Sequence, residues 1–243
     1  MRIFRILAAG VSVIAVSGCG LNASVDTGPR VDRNFAVGGF TGIEVAGSYA
    51  VSVRTGAAPS VHANGSEKAL DRLRVVVKNG VLEIGSQGKH GWSFGWGNWR
   101  HNGPVSLVVT VPSLESASIA GSGDIQVDKV SGPRFKGEVA GSGDLRLASV
   151  DAGEVSLEIA GSGNASAAGK AKNVRYEIAG SGDIDAAGLT AETAEVSIAG
   201  SGGIKGHASQ TAKVDVAGSG DVTITGGAKC TVSKTGSGDI RCS

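Results

Sequence analysis

From about residue 116 onward, apolar and polar residues alternate with a period of two, in short runs broken by a recurring glycine-rich corner. Before the corner come Leu157/Ile159, Tyr176/Ile178, Val196/Ile198 and Val214/Val216, with the weaker pairs Ala117/Ile119 and Gly137/Val139. After it come Ile125/Val127, Leu145/Leu147 and Val222/Ile224, with the smaller Ala165/Ala167 and Ile184/Ala186. Alternation of this kind predicts half-buried strands, and no helical period competes with it in this region. Each unit therefore reads as strand, corner, strand, then a variable return such as residues 128–134 or 186–192.

The corner is AGSGD at 120–124, 140–144, 179–183 and 217–221, AGSGN at 160–164, AGSGG at 199–203 and TGSGD at 235–239. Successive starts are 20, 20, 19, 20, 18 and 18 residues apart. A fixed period in this range predicts a stacked solenoid whose repeats cannot fold singly. Parallel strands stack at roughly 4.8 Å, so seven turns give about 30 Å of axis. Parallel crossovers are overwhelmingly right-handed. The expected fold is thus all-β, a right-handed parallel β-helix of about 20 residues per turn with a narrow aliphatic core. Glycine supplies the bend, and the corner Ser and Asp are expected to bond their own backbone. In the last repeat Lys234 replaces the usual Val or Ile, and Cys230/Val232 and Ile240/Cys242 form the inward pairs. Such a polar turn is what a solenoid end needs as a cap, and it blunts an open strand edge.

Residues 40–48 form a degenerate repeat. Strand candidates follow at 50–54, 60–63, 73–78, 81–84 and 105–111, with Asn79-Gly80 a hairpin signal and Ser66 the N-cap of one or two helical turns over 66–73. The expected organisation is a leader at 1–18, a flexible tether at 19–34, an irregular N-terminal part of the solenoid at 35–115, and the regular repeats with their cap at 116–243.

Arg2 and Arg5 precede an uncharged apolar run at 6–16, short for a membrane span and suited to a signal peptide. Val16-Ser17-Gly18-Cys19 resembles a bacterial lipobox, which implies cleavage before Cys19 and its acylation; an ordinary signal peptide with a chance cysteine is the alternative. Several acyl chains would anchor the protein stably. Gly20, not Asp, follows Cys19, which implies sorting to the outer membrane of a Gram-negative cell, facing either the periplasm or the surface. With Cys19 lipidated, Cys230 and Cys242 remain, either as a disulfide in an oxidising envelope or as two buried thiols. The chain has 23 Lys and Arg against 22 Asp and Glu; without residues 1–18 the balance is 21 against 22, a net −1. No basic tract exists, which argues against nucleic acid.

Gly39-Phe40-Thr41-Gly42-Ile43-Glu44-Val45, the strand–Asn79-Gly80–strand segment, Thr110-Val111-Pro112-Ser113-Leu114 and the serial Gly-Ser-Gly-Asp corners together resemble the putative auto-transporter adhesin head domain, or GIN domain, of bacterial envelopes. The resemblance runs from about Phe35 to Cys242 and implies a fold similar to the pectin-lyase type of β-helix. It implies no catalytic residues.

Three features are candidate sites. The corner column Asp124, Asp144, Asn164, Asp183, Asp221 and Asp239 is expected to stabilise turns; a calcium array is the other reading, but one carboxylate per turn falls short of the six to eight oxygens that ion takes. An outward column of Glu138, Glu158, Glu177 and Asp215 runs beside Lys136, Arg175, Glu195 and Lys213, either as a solvated charge-mixed face or as a platform for a partner. Residues 89–102 hold all three tryptophans, and Trp92, Phe94, Trp96, Trp99 and Arg100 are the candidate contacts for a ligand or partner, unless the segment covers the core. His90 and His101 flank it but are weak grounds for a metal, and no cofactor is expected. The expected function is that of a non-enzymatic, lipid-anchored envelope protein presenting a structural or adhesive surface. A module binding an envelope polysaccharide or lipid through the tryptophans is the first alternative, and a carbohydrate-active enzyme the second. Membrane contact is expected through the anchor, and an envelope glycan or protein is the candidate partner.

Overall fold

The structure, a computed structural model, describes residues 29–87 and 104–243. Seventeen strands join into one continuous hydrogen-bonded sheet that winds as a β-solenoid of about six turns. These six turns lie between the seven Gly-Ser-Gly corners, and two further parallel layers precede them. The strands Asp144–Gly161, Asn164–Gly180, Asp183–Gly200 and Gly203–Gly218 each start just after one corner and end at the next. They pair in parallel and in register, so that Val139, Ile159, Ile178, Ile198 and Val216 form one column. That column and its inward neighbours are the core, almost wholly shielded from solvent.

The corner works through close approach of backbones. Gly180 has φ +140°, and a Cβ there would run into Gly161 O of the preceding turn. Ser181 N donates to that same carbonyl at 2.8 Å. The second glycine, Gly182, is just as confined, since its Cβ would meet Gly163 O. The corner Asp behaves differently from the sequence expectation. Instead of closing a turn on its own backbone, its Oδ1 accepts from the next layer: Asp144 N to Asp124 (3.1 Å), Gly203 N to Asp183 (2.7 Å) and Asp239 N to Asp221 (2.8 Å). Stacking at one layer spacing brings the carboxylate within reach of a donor that local turn geometry does not supply.

Side-chain size varies inside the core, and glycines compensate for it. A Cβ on Gly137 would crowd Leu157 Cδ2 at 2.8 Å, and one on Gly206 would crowd the Tyr176 ring at 3.2 Å. Tyr176 is completely buried, its hydroxyl has no hydrogen-bond partner among the described residues, and burial pushes its pKa well above the ordinary phenol value. An unpaired buried hydroxyl costs roughly 1–3 kcal/mol. Tyr176→Phe is therefore expected to be neutral or stabilising by about 1 kcal/mol in urea unfolding; a loss of stability would mean that the hydroxyl has a partner.

The N-terminal part extends the same stack downward. Gly42–Gly47 stacks in parallel under Ser116–Gly121, and Ala50–Thr55 under Asp124–Val127. Val81–Ser86 and Ser106–Val111 form the layer beneath, again parallel to those two strands. Antiparallel strands then close the end: Leu73–Lys78 on Val81–Ser86, Ser60–Ser66 on Ser106–Val111, and Arg30–Phe35 on Ser60–Ser66. The Asn79-Gly80 turn has φ 50° and 77°, as the hairpin signal requires. The helix is a single turn, Glu67–Leu70, with Ser66 Oγ accepting from Ala69 N at 3.3 Å. One sequence expectation needs correction. Residues 30–34, read as the end of a flexible tether, belong to the strand Arg30–Phe35: Val31, Arg33 and Phe35 are half-buried on one face, while Asp32 and Asn34 bond Asn64 and His62 across the pair.

Candidate functional site

The surface of the solenoid is organised in columns, because in-register stacking places equivalent residues of successive turns side by side. The column of Glu138, Glu158, Glu177, Ser197 and Asp215 runs beside Lys136, Ser156, Arg175, Glu195 and Lys213, as the repeats predict. Acid and base interlock between turns. Lys136 Nζ lies 3.0 Å from Glu158 and 3.5 Å from Glu138; Arg175 reaches Glu195 at 2.6 Å; Lys213 bridges Asp215 at 3.2 Å and Glu195 at 3.8 Å. The Glu158 hydrogen bond, followed by the attraction of both carboxylates, raises the Lys136 pKa above its ordinary value. All these groups are substantially exposed, so the pairs set surface pattern more than stability. Ser197 leaves a notch of about 200 Å³ between Glu177 and Asp215, lined also by Arg175 and Glu195.

On the other side of the corner, Asp144, Arg146, Asn164, Ser166, Asp183 and Asp185 line an open depression of about 310 Å³. Their carboxylates are already engaged: Arg146 lies 3.6 Å from Asp144 Oδ2, Asn164 Nδ2 donates to Asp144 Oδ1 at 2.9 Å, and Asp185 Oδ1 accepts from Ala187 N at 3.4 Å. Among the described residues, no group of three or more His, Cys, Asp and Glu side chains is placed to hold a metal ion.

The last turn is built as the repeat pattern ends. Cys230 and Cys242 are bonded, with Cα atoms 6.6 Å apart, joining the final two strands Lys229–Gly236 and Ile240–Cys242. Lys234, at the inward column position, donates through Nζ to Gly238 O at 2.9 Å and so ties the last corner. Val232 is 47% exposed, the one large aliphatic side chain left open among the described residues.

Cys19 and the group Trp92, Phe94, Trp96, Trp99 and Arg100 lie outside the described residues, as do His90 and His101. The points at which the chain leaves and returns are described. Val81–Ser86 ends, and Ser106–Val111 begins, at the level where every higher turn has its corner. Gln87 N donates to Arg72 O at 2.6 Å, and Ala50 N to Val105 O at 3.3 Å. In chain order the tryptophan-rich sequence lies between these two strands of the first parallel layer. The sequence reading missed Tyr49. In the corner above, Gly47-Ser48-Tyr49, a tyrosine replaces the second glycine, its ring 3.1 Å from the position of a Cβ on Gly47. Burial raises the Tyr49 pKa, partly opposed by a hydrogen bond with Ser86.

These features define a class: a parallel β-solenoid with paired polar columns on its faces and a stapled last turn. The chain belongs to the family described as putative auto-transporter adhesin, head GIN domain, which matches residues 39–228. Membership points to a cell-envelope or surface protein. Among solved structures, a putative adhesin from Bacteroides fragilis superposes with a TM-score of 0.80 at 21% identity, over 88% of this chain and 97% of its own. A putative lipid binding protein from Parabacteroides distasonis has a TM-score of 0.69 at 22% identity, covering 89% and 97%. A putative adhesin from Parabacteroides merdae has 0.68 at 17%, covering 89% and 97%. At these identities the likeness is one of fold. No curated protein sequence matches this chain.

Proposed function

We propose that the protein is a non-enzymatic, lipid-anchored component of the cell envelope, held through acylated Cys19 and presenting its solenoid as a rigid structural and adhesive surface at the outer membrane. The observation that carries this reading is the run of in-register polar columns, Glu138 to Asp215 beside Lys136 to Lys213, interlocked from turn to turn. They make a stiff face of repeating chemistry, suited to extended contact, and adhesion is the role attached to the family. Cys19→Ala is expected to abolish acylation and membrane retention in cell fractionation; unchanged retention overturns the anchor. Reproducible turnover of uronic-acid polymers by the purified protein overturns the non-enzymatic reading.

A second reading is a binding module for an envelope polysaccharide or lipid through Trp92, Phe94, Trp96, Trp99 and Arg100. Its support is the clustering of all three tryptophans in the sequence between Val81–Ser86 and Ser106–Val111, and one structural relative is described as lipid binding. The test is tryptophan emission titrated with envelope glycans and with liposomes. A blue shift that is lost in Trp92→Ala/Trp96→Ala/Trp99→Ala supports it; emission already blue-shifted, protected from quenchers and indifferent to both additions shows instead that the segment covers the core.

A further inference from the structure

We infer that the N-terminal end of the solenoid is a docking surface for an anionic phospholipid bilayer, so that the repeats point away from the membrane. The inference rests on the anchor reading for the presence of a membrane, and on charge and topology for which end meets it.

Charge is divided along the axis. Residues 29–87 carry seven Lys and Arg against five Asp and Glu, a net +2; residues 104–243 carry 12 against 16, a net −4. The positive groups concentrate in the elements that close the N-terminal end, Arg30–Phe35, the helix Glu67–Leu70 and Leu73–Lys78. Arg33 is paired with Asp71, and Arg74 and Lys78 share the single carboxylate of Glu83. Lys68 and Arg72 are exposed and, among the described residues, have no carboxylate at ion-pair distance. The corner side of the body is net acidic: Glu138, Glu158, Glu177, Glu195 and Asp215 outnumber Lys136, Arg175 and Lys213 on one flank of the Gly-Ser-Gly ridge, and Asp144, Asp183, Asp185 and Asp221 outnumber Arg146 and Lys205 on the other. An anionic surface therefore attracts the closed end and repels the molecule lying on its ridge.

Topology agrees with charge. Arg30 begins the outermost strand on one face of the stack, and Leu73–Lys78 is the outermost strand on another. From Cys19 to Arg30 there are 11 residues, at most roughly 40 Å when fully extended. Eight layer spacings of roughly 4.8 Å separate Val81–Ser86 from the last turn and put that turn about 38 Å farther along the axis. Each Lys or Arg near an anionic bilayer adds about fivefold to partitioning, and the field decays within about 8 Å, so only groups at the end count.

The first test uses the chain from residue 20 to 243, which keeps the whole described core and has no acyl chain, in co-sedimentation with vesicles. Binding to phosphatidylglycerol vesicles at low salt is expected, weakened at high salt and absent on phosphatidylcholine. Lys68→Glu/Arg72→Glu should weaken it at least about tenfold. Lys170→Glu/Lys172→Glu makes the same charge change in the middle of the body and should leave it unchanged. No preference for the anionic lipid, or equal loss in both variants, overturns the inference. The second test places a fluorophore on Glu67→Cys or Thr223→Cys of the acylated chain in phosphatidylglycerol vesicles. Energy transfer to a headgroup acceptor should be stronger from residue 67; equal or reversed transfer overturns it. If mass spectrometry finds no acyl chain on Cys19, the anchor reading fails, while the sedimentation result still decides the docking surface.

Discussion

Gly180→Ala is expected to lower stability by about 2–4 kcal/mol and to break the single unfolding transition, because a left-handed backbone position and a backbone collision coincide at one residue. At φ +140° an alanine is strained even in open space, and its Cβ has no open space, since it meets Gly161 O. Relief requires the two layers to separate, which breaks the Ser181 N to Gly161 O bond and loosens the register of Ile178 on Ile159. A solenoid has only nearest-neighbour contacts, so a fault in the middle uncouples the two halves. Urea unfolding followed by circular dichroism should show a lower midpoint with a broadened or biphasic transition. Ser181→Ala is the control: its side chain is exposed, and stability should stay within about 0.5 kcal/mol. A Gly180→Ala protein as stable as the parent would mean that the corners are not stacked as described.

Removal of the staple should have the second-largest effect, and a local one. Cys230 and Cys242 are 12 residues apart, and closing a loop of that size restricts the unfolded chain by about 3 kcal/mol in the chain-entropy view. The bond lies in the last turn, where one strand side is unpaired and Val232 is open to solvent. Cys230→Ser/Cys242→Ser should therefore lose about 2–3 kcal/mol, with fraying that starts at the end. Hydrogen exchange should rise across Lys229–Gly236 and Ile240–Cys242 while Asp144–Gly161 keeps its protection. Two alkylatable thiols in the parent protein, or unchanged exchange at the end, would contradict the staple.

The repeats were legible because a solenoid writes its geometry into the chain with a fixed period. Inward and outward columns, the corner glycines and the place of Lys234 all follow from aligning the Gly-Ser-Gly corners. The N-terminal part was legible only in pieces. Asn79-Gly80 and Ser66 announce a turn and a helix start through local chemistry. That Arg30–Phe35 is a strand depends on Ser60–Ser66, about 30 residues away in sequence, offering an edge and the partners Asn64 and His62. No window around residue 30 contains that information.

The sequence by itself determined the architecture of this protein, its repeat length, its polar columns and the family it belongs to, because each is set by periodicity or by residues close together in the chain. It also marked Cys19 and the tryptophans through local motifs alone. Only the tertiary structure decided what depends on one layer resting on another. The corner Asp bonds the next turn and not its own, because that donor arrives one layer away. Tyr49 stands where other corners carry glycine, and its ring packs against Gly47 of its own corner. Arg30, Arg33, Lys68, Arg72, Arg74 and Lys78 gather at one end because antiparallel strands fold back over the first parallel layer. Distance along the chain says nothing of these contacts, and the stacking of layers creates them.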